Sequence, residues 1–184
     1  MFGKYGEFDS WEEIARALKA QQAEGDMDAV KSIAEENGLD MEDVEAYLDG
    51  VETDMVMCKL AAYGKLAVEE KEHKVNGMLS DWVDIIRDAA TSSDELAAGI
   101  RRKGKKLSEV LARCIDASLE SKCIVDKSIT GLCCAEIRQH TQNHPLTIGG
   151  TPKRKVLEIV REYYCPETMK PHKHLNGTAA GGRS

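Results

Sequence analysis

An all-α fold, a compact bundle of several helices, is what this sequence predicts. Three observations predict it. Apolar residues recur at i, i+3, i+4 and i+7 along most of the chain, the period of a helix with one buried face. Ser, Thr or Asp stands just before many of these runs and Gly just after, as helix ends require. Only "HPLTIGG" (residues 144–150) departs from the pattern, reading as a short strand or loop. A hydrophobic content of 42% over 184 residues is enough for a packed core, and no apolar run approaches the ~20 residues that span a bilayer.

The elements follow in order. Ser10 and Glu13 have the spacing of a capping box before "WEEIARALKAQQ", with Trp11, Ile14, Ala15 and Leu18 on one face. Asp26 suits the cap of a second helix running to about Asn37, and Gly38 fits the left-handed stop after it. Asp40 suits the cap of a third helix ending at Gly50, with Leu39 and Val44 at the two positions of a hydrophobic staple. Thr53 or Asp54 starts the next helix, where Val56, Leu60 and Tyr63 form an apolar stripe and Gly64 offers an interruption. Its far end, "VEEKEHK", is polar all round and reads as exposed or a connector. Asn76-Gly77 is a turn signal. Leu79, Trp82, Val83, Ile86 and Ala90 then mark a helix, and Ser92 with Glu95 offers a second capping box. Gly104 separates a short helix from a longer one whose buried face reads as Leu107, Leu111, Cys114, Ile115 and Leu119. Asp126 caps "KSITGLCCAEIRQ". Thr151 as N-cap with Pro152 at the first helical position starts "KRKVLEIVREYY". The stripe Val156, Leu157, Val160 and Tyr164, widened by Ile159 and Tyr163, is expected to pack on the Leu107–Ile115 stripe. The organisation expected is an acidic helical region over 1–76, a basic helical region over 77–165 and a disordered tail over 166–184.

The formal charge of −7 hides a division. Residues 1–95 carry 24 acidic and 9 basic side chains, a net of −15, whereas residues 96–184 carry 8 acidic and 16 basic, a net of +8. Such asymmetry points to charged partners, or to two halves that attract each other within the fold. Residues 32–50, "SIAEENGLDMEDVEAYLDG", concentrate the first sign. Ala34, Gly38 and Val44 resemble the small residue, turn glycine and buried aliphatic of a helix-turn-helix. Yet the stretch holds Glu35, Glu36, Asp40, Glu42, Asp43, Glu45 and Asp49 and no lysine or arginine. Affinity for a duplex comes largely from cations that displace counterions, so these seven acids describe a partner-binding surface rather than a DNA reader. The candidate nucleic-acid contacts are Arg101, Arg102, Lys103, Lys105 and Lys106 of "RRKGKK", with Lys153, Arg154 and Lys155 of "GGTPKRK".

Catalytic and metal chemistry is poorly supported by the residues. There is no phosphate-binding loop, dinucleotide fingerprint or HExxH motif. "GGTPKRK" sets a helix start beside three cations but lacks the spacing of a phosphate loop, so a solvated helix start is the simpler reading. His140 and His144 have the H-x3-H spacing of zinc ligands, with Cys165, His172 and His174 downstream. Against a site, Cys133 and Cys134 are adjacent, so a helix would point them about 100° apart. No carboxylate is isolated in apolar surroundings that would tune it for acid-base work. The expectation is a non-enzyme with no cofactor and no metal. Its six cysteines read as reduced thiols and, with no export signal visible in "MFGKYGEFDSWEE", the cytoplasm is the expected compartment.

From Asp94 onward, "DELAAGIRRKGKKLSEVLARCI", "VDKSI" and the closing "VREYY" resemble the PcfK-like family of bacterial mobile elements, which includes Cas9 inhibitors of the type II-A anti-CRISPR class. The residues that carry the resemblance are Arg102-Lys103-Gly104-Lys105, Cys114, Asp126 and Tyr163-Tyr164. "AEGDMDAVKSIAEENGLDMEDVEAYLDG" is similar to longer anti-CRISPR relatives. The resemblance implies an inhibitor that binds Cas9, or its guide-RNA complex, and blocks target binding or cleavage. Cas9 holds its heteroduplex in a cationic channel and reads its PAM with arginines, sites an acidic helical surface would suit. The other expectation is a DNA-associated accessory or regulatory protein of a mobile element, using the basic half on nucleic acid.

Overall fold

A computed structural model describes residues 3–168. They form ten helices and one two-stranded ribbon: α1 (Trp11–Glu24), α2 (Met27–Glu36), α3 (Met41–Leu48), α4 (Asp54–Glu72), α5 (Met78–Thr91), α6 (Asp94–Arg101), α7 (Leu107–Glu120), β1 (Cys123–Ile124), α8 (Lys127–Thr130), α9 (Ala135–His140), β2 (Thr147–Ile148) and α10 (Lys153–Tyr164). The all-α bundle is therefore observed. Residues 169–184, most of the expected tail, lie outside the described residues, and 166–168 form a turn.

Local chemistry sets most helix starts. Asp26 Oδ1 accepts from Ala29 N at 2.9 Å, Asp40 Oδ1 from Glu42 N at 2.9 Å, and Thr53 Oγ1 from Val56 N at 3.4 Å. Each satisfies an N–H that the first turn leaves without an intrahelical partner. Two capping boxes take other forms. Glu13 reaches back to Asp9 N while the Ser10 side chain makes no cap bond, and α6 is capped by Ser93, whose Oγ accepts from Leu96 N at 3.2 Å. Thr151 does not cap α10. Its hydroxyl donates to Cys114 O at 2.6 Å, so it fastens α10 to α7, and Pro152 takes the cap position.

Helix α4 is the axis of the fold. Met57 and Ala61 join a cluster with Ile14 and Leu18 of α1, Val30 and Ile33 of α2, and Val44 and Tyr47 of α3. Cys58, Ala62 and Leu66 join a second cluster built from α5, α6, α7 and α10. This corrects the expected stripe: Val56, Leu60 and Tyr63 are half-buried, because α4 is covered on two faces and Met57, Ala61, Ala62 and Leu66 lie deepest. Gly64 does not interrupt the helix. A Cβ there would collide with the Asn37 carbonyl oxygen, and one at Gly38 would sit 2.6 Å from Gly64 O. Two glycines let the α2–α3 turn lie directly on α4, and Gly38 also needs φ of +66°.

The second cluster corrects two further expectations. On α7 the buried residues are Leu107, Val110, Leu111 and Cys114, while Ile115 and Leu119 are exposed. On α10 the expected Val156, Val160 and Tyr164 are buried, as are the flanking Ile159 and Tyr163, and of the expected stripe only Leu157 is half-buried. The cause is the crossing. α10 packs on α5, α6 and α7 together, on the side of α7 away from Ile115 and Leu119.

Between α7 and α10 the chain makes an excursion over residues 121–150. β1 and β2 pair antiparallel, Cys123 opposite Ile148 and Ile124 opposite Thr147. The helix expected from Asp126 is split into α8 and α9 around Gly131–Cys134. Asp126 Oδ1 still caps α8, accepting from Ser128 N at 2.8 Å. The excursion is fastened at its base, where Ser121 Oγ donates to Gly150 O at 2.8 Å and Gly149 lies too close to Ser118 O for any Cβ.

Candidate interaction surface

The acidic stretch folds as α2, a glycine turn and α3, and its seven carboxylates separate into different roles. Glu36 is half-buried and structural: its two oxygens accept from Lys4 N at 2.7 Å and Tyr5 N at 3.1 Å, holding the N-terminal segment. Asp40 is the exposed α3 cap. Glu35 is exposed and lies 3.9 Å from Lys31, a surface pair of small energetic weight. Asp43 is half-buried beside a groove of about 260 Å³ that Leu39, Leu60 and Tyr63 also line, with Arg87 at its border. Glu42, Glu45 and Asp49 are exposed along α3. Among the described residues, none of Glu42, Asp43, Glu45 and Asp49 forms an ion pair.

Part of this acidity is local helix chemistry. Glu42 and Asp43 occupy the first turn of α3, where the helix dipole favours negative charge. Glu45 and Asp49 lie toward the other end, where it does not. The opposite face of α3 is anchored: Val44 and Tyr47 are buried, Tyr47 Oη donates to Asp54 Oδ1 at 2.7 Å, and Lys19 lies over the Tyr47 ring. The carboxylates thus ride on a fixed helix.

The expected basic patch does not form as such. Arg101 is fully buried, with no exposed surface. Its guanidinium donates to Asn37 Oδ1 at 2.7 Å and Phe8 O at 3.3 Å. Burial pulls its pKa below the ordinary value, against the carboxylates of Glu7, Glu69 and Glu13. Lys103 pairs with Asp9 at 2.9 Å. Lys105 Nζ donates to Tyr163 O at 2.7 Å and sits over that ring. Lys155 pairs with Glu158 at 2.7 Å. Arg102, Lys106, Lys153 and Arg154 remain exposed. "RRKGKK" is therefore first a clasp that joins the N-terminal segment, α4 and α10. Gly104, at φ +76°, turns the backbone between α6 and α7 so that its flanks face different neighbours.

Beneath the clasp lies a polar cluster absent from the sequence reading. Lys65 is buried, and its Nζ donates to Glu7 Oε1 at 3.1 Å and Arg102 O at 3.1 Å, with Glu69 Oε1 at 3.7 Å. Glu69 Oε2 accepts from Leu107 N at 2.5 Å, so the "VEEKEHK" end of α4 is buried at Glu69 rather than wholly exposed. Burial raises the Glu69 carboxyl above its ordinary value, while the Leu107 N–H and Lys65 pull it down. The signal was present: Lys65 interrupts an otherwise apolar run, and Lys65 and Glu69 are four apart on one helix face.

At the metal candidates, the His140 and His144 rings are 6.1 Å apart and Cys133 Sγ donates to Ile129 O at 3.6 Å. Cys165 is buried elsewhere, with Sγ directed to Glu95 O, and His172 and His174 lie outside the described residues. Among the described residues, no three His, Cys, Asp or Glu side chains are grouped to hold an ion. Burial pushes the Cys58 and Cys114 thiols up to about 11, which keeps them protonated at neutral pH. No described helix is long and apolar enough to cross a membrane. In comparisons with known proteins, no family model, curated protein or solved structure matches this chain.

Proposed function

We propose that this chain is a non-enzymatic binding protein whose acidic α3 face engages a cationic surface of another protein. The observation that carries the reading is that Glu42, Glu45 and Asp49 stand exposed on a helix anchored from behind, with no ion pair among the described residues. Carboxylates held in place lose little freedom on binding, and complementary charge speeds encounter. On the resemblance to the PcfK-like family, the partner is Cas9 or its guide-RNA complex, met in the bacterial cytoplasm. The effect is to block target DNA binding or cleavage by competing for cationic sites that otherwise hold phosphates.

The other reading, a DNA-associated accessory protein of a mobile element, rests on the basic half. It is weakened because Arg101 is buried and Lys103, Lys105 and Lys155 have partners within the chain. Arg102, Lys106, Lys153 and Arg154 are the cations left for guide RNA or DNA. The test measures affinity for the Cas9–guide complex, and for free duplex DNA, at several salt concentrations. Lys at Glu42, Asp43, Glu45 and Asp49 should weaken binding to the complex at least about ten-fold per few lost contacts and flatten its salt dependence, with helicity unchanged. Unaltered affinity in that variant, or tight binding of the wild type to free DNA that is lost with Gln at the four exposed cations, would overturn the proposal.

A further inference from the structure

We infer that the groove between the start of α3 and α4 is a socket for an arginine side chain of a cationic protein partner. This rests on the reading of the acidic face and names the group that the face recognises. The groove encloses about 260 Å³, below the ~300–1,000 Å³ of sites that take a free small molecule, and suits one long side chain. Its walls are of two kinds. Leu39, Leu60, Tyr63 and Ala67 supply apolar carbon, and Asp40 and Asp43 supply carboxylates. Gly38 and Gly64, whose missing side chains let the α2–α3 turn rest on α4, line it as well.

Charge selects the occupant. Three charged groups stand at the groove: Asp40, Asp43 and, at its border, Arg87. Arg87 does not neutralise the two carboxylates, because its guanidinium is already held by Glu70 at 2.9 Å and Asp84 at 2.6 Å. Asp40 Oδ1 accepts from Glu42 N as the α3 cap. Asp43 is half-buried, and among the described residues no side chain donates to it. Beside apolar carbon a carboxylate is screened less than in open water, so a cation that reaches it is held more strongly. That cation must pass Leu60 and Tyr63. An ammonium is compact and strongly hydrated, whereas a guanidinium sheds water more readily, stacks on aromatic rings and offers two N–H groups to one carboxylate. The methylene stem of an arginine then covers the apolar wall. Tyr63 is held in place for this contact, its Oη 2.5 Å from Thr91 Oγ1.

Nuclear magnetic resonance of the full chain, labelled at its leucine methyls and titrated with N-acetyl-arginine amide, tests the socket without a partner protein. The Leu39 and Leu60 signals should shift and saturate with a Kd on the order of 1 mM, the scale of a single side chain. N-acetyl-citrulline amide, similar in shape but uncharged, should bind at least about ten-fold more weakly, and N-acetyl-lysine amide at least about three-fold. Asp43→Asn should weaken the arginine probe at least about ten-fold. Ala67→Leu, at an exposed position, fills the groove without changing its charge and should weaken the probe as much. Asp28→Asn, at an exposed acid of α2 that does not line the groove, should bind the probe as the wild type does. Shifts that do not saturate, or wild-type probe affinity in Asp43→Asn or in Ala67→Leu, would overturn the inference. A lysine probe as tight as the arginine one would overturn the choice of a guanidinium. The two readings fail separately. A probe seated in the groove of a chain that has no affinity for the Cas9–guide complex would refute Cas9 as partner and support the socket. Tight binding of that complex, unaltered by Asp43→Asn and Ala67→Leu, would refute the socket and leave the acidic face.

Discussion

Replacing Lys65 by Met tests whether the buried polar cluster holds the two halves together. Lys65 is 1% exposed, and the three neighbours of its ammonium, Glu7, Glu69 and the Arg102 carbonyl, come from the N-terminal segment, α4 and the α6–α7 link. Met keeps the stem but leaves Glu69 buried without its cation. Removing one partner of a buried ion pair costs ~3–5 kcal/mol, a large share of a typical ~5–15 kcal/mol total. For a chain of this size that lowers Tm by about 6–20 °C. The deficit should also depend on pH. Burial raises the folded Glu69 pKa above the ordinary 4.5. Its protonated form therefore contributes stability below that value, and the contribution is lost as pH rises through the folded pKa. Without Lys65 the folded pKa climbs further, so the variant should be least impaired near pH 4.5 and most impaired at neutral pH. Urea denaturation at both pH values reads this directly. Adding Glu69→Met should recover at least half of the loss, limited by the ~1–3 kcal/mol cost of leaving Leu107 N without its acceptor. A single variant costing under about 1 kcal/mol, a deficit independent of pH, or a double variant no better than the single would refute the reasoning.

Two further outcomes follow from the packing. Gly64→Ala, which drives a methyl into the Asn37 carbonyl, should destabilise by ~1–3 kcal/mol despite alanine's better helix propensity; a thermal melt at or above the wild-type Tm would show that the α2–α3 turn can move off α4. Leu111→Ala, at a buried site, should cost ~2–5 kcal/mol, and Leu157→Ala, at a half-buried one, should cost clearly less by urea denaturation.

Sequence alone determined what nearest neighbours along the chain decide. Asp26, Asp40 and Asp126 act as caps, Gly38 as a left-handed stop, and Gly104 as the break between α6 and α7, because a cap or a positive φ is settled within about four residues. The acidity of α3 and the burial of Val44 behind it were legible for the same reason. Tertiary structure decided which face of each helix lies deepest and what each charge meets. α4 carries two buried faces because two clusters close on it, so its visible stripe of Val56, Leu60 and Tyr63 became the margin and Met57, Ala61, Ala62 and Leu66 the centre. Arg101 reads as one cation among five in a basic run, yet it is the one that the α6 turn directs inward to Asn37, 64 residues earlier. Burial of a charge depends on partners far away in sequence, and no local pattern encodes them. The exposure of Ile115 and Leu119 on α7 belongs to the same class. Ile115 and Leu119 fit a core stripe by spacing, and only the crossing of α10 over the other side of α7 leaves them facing out.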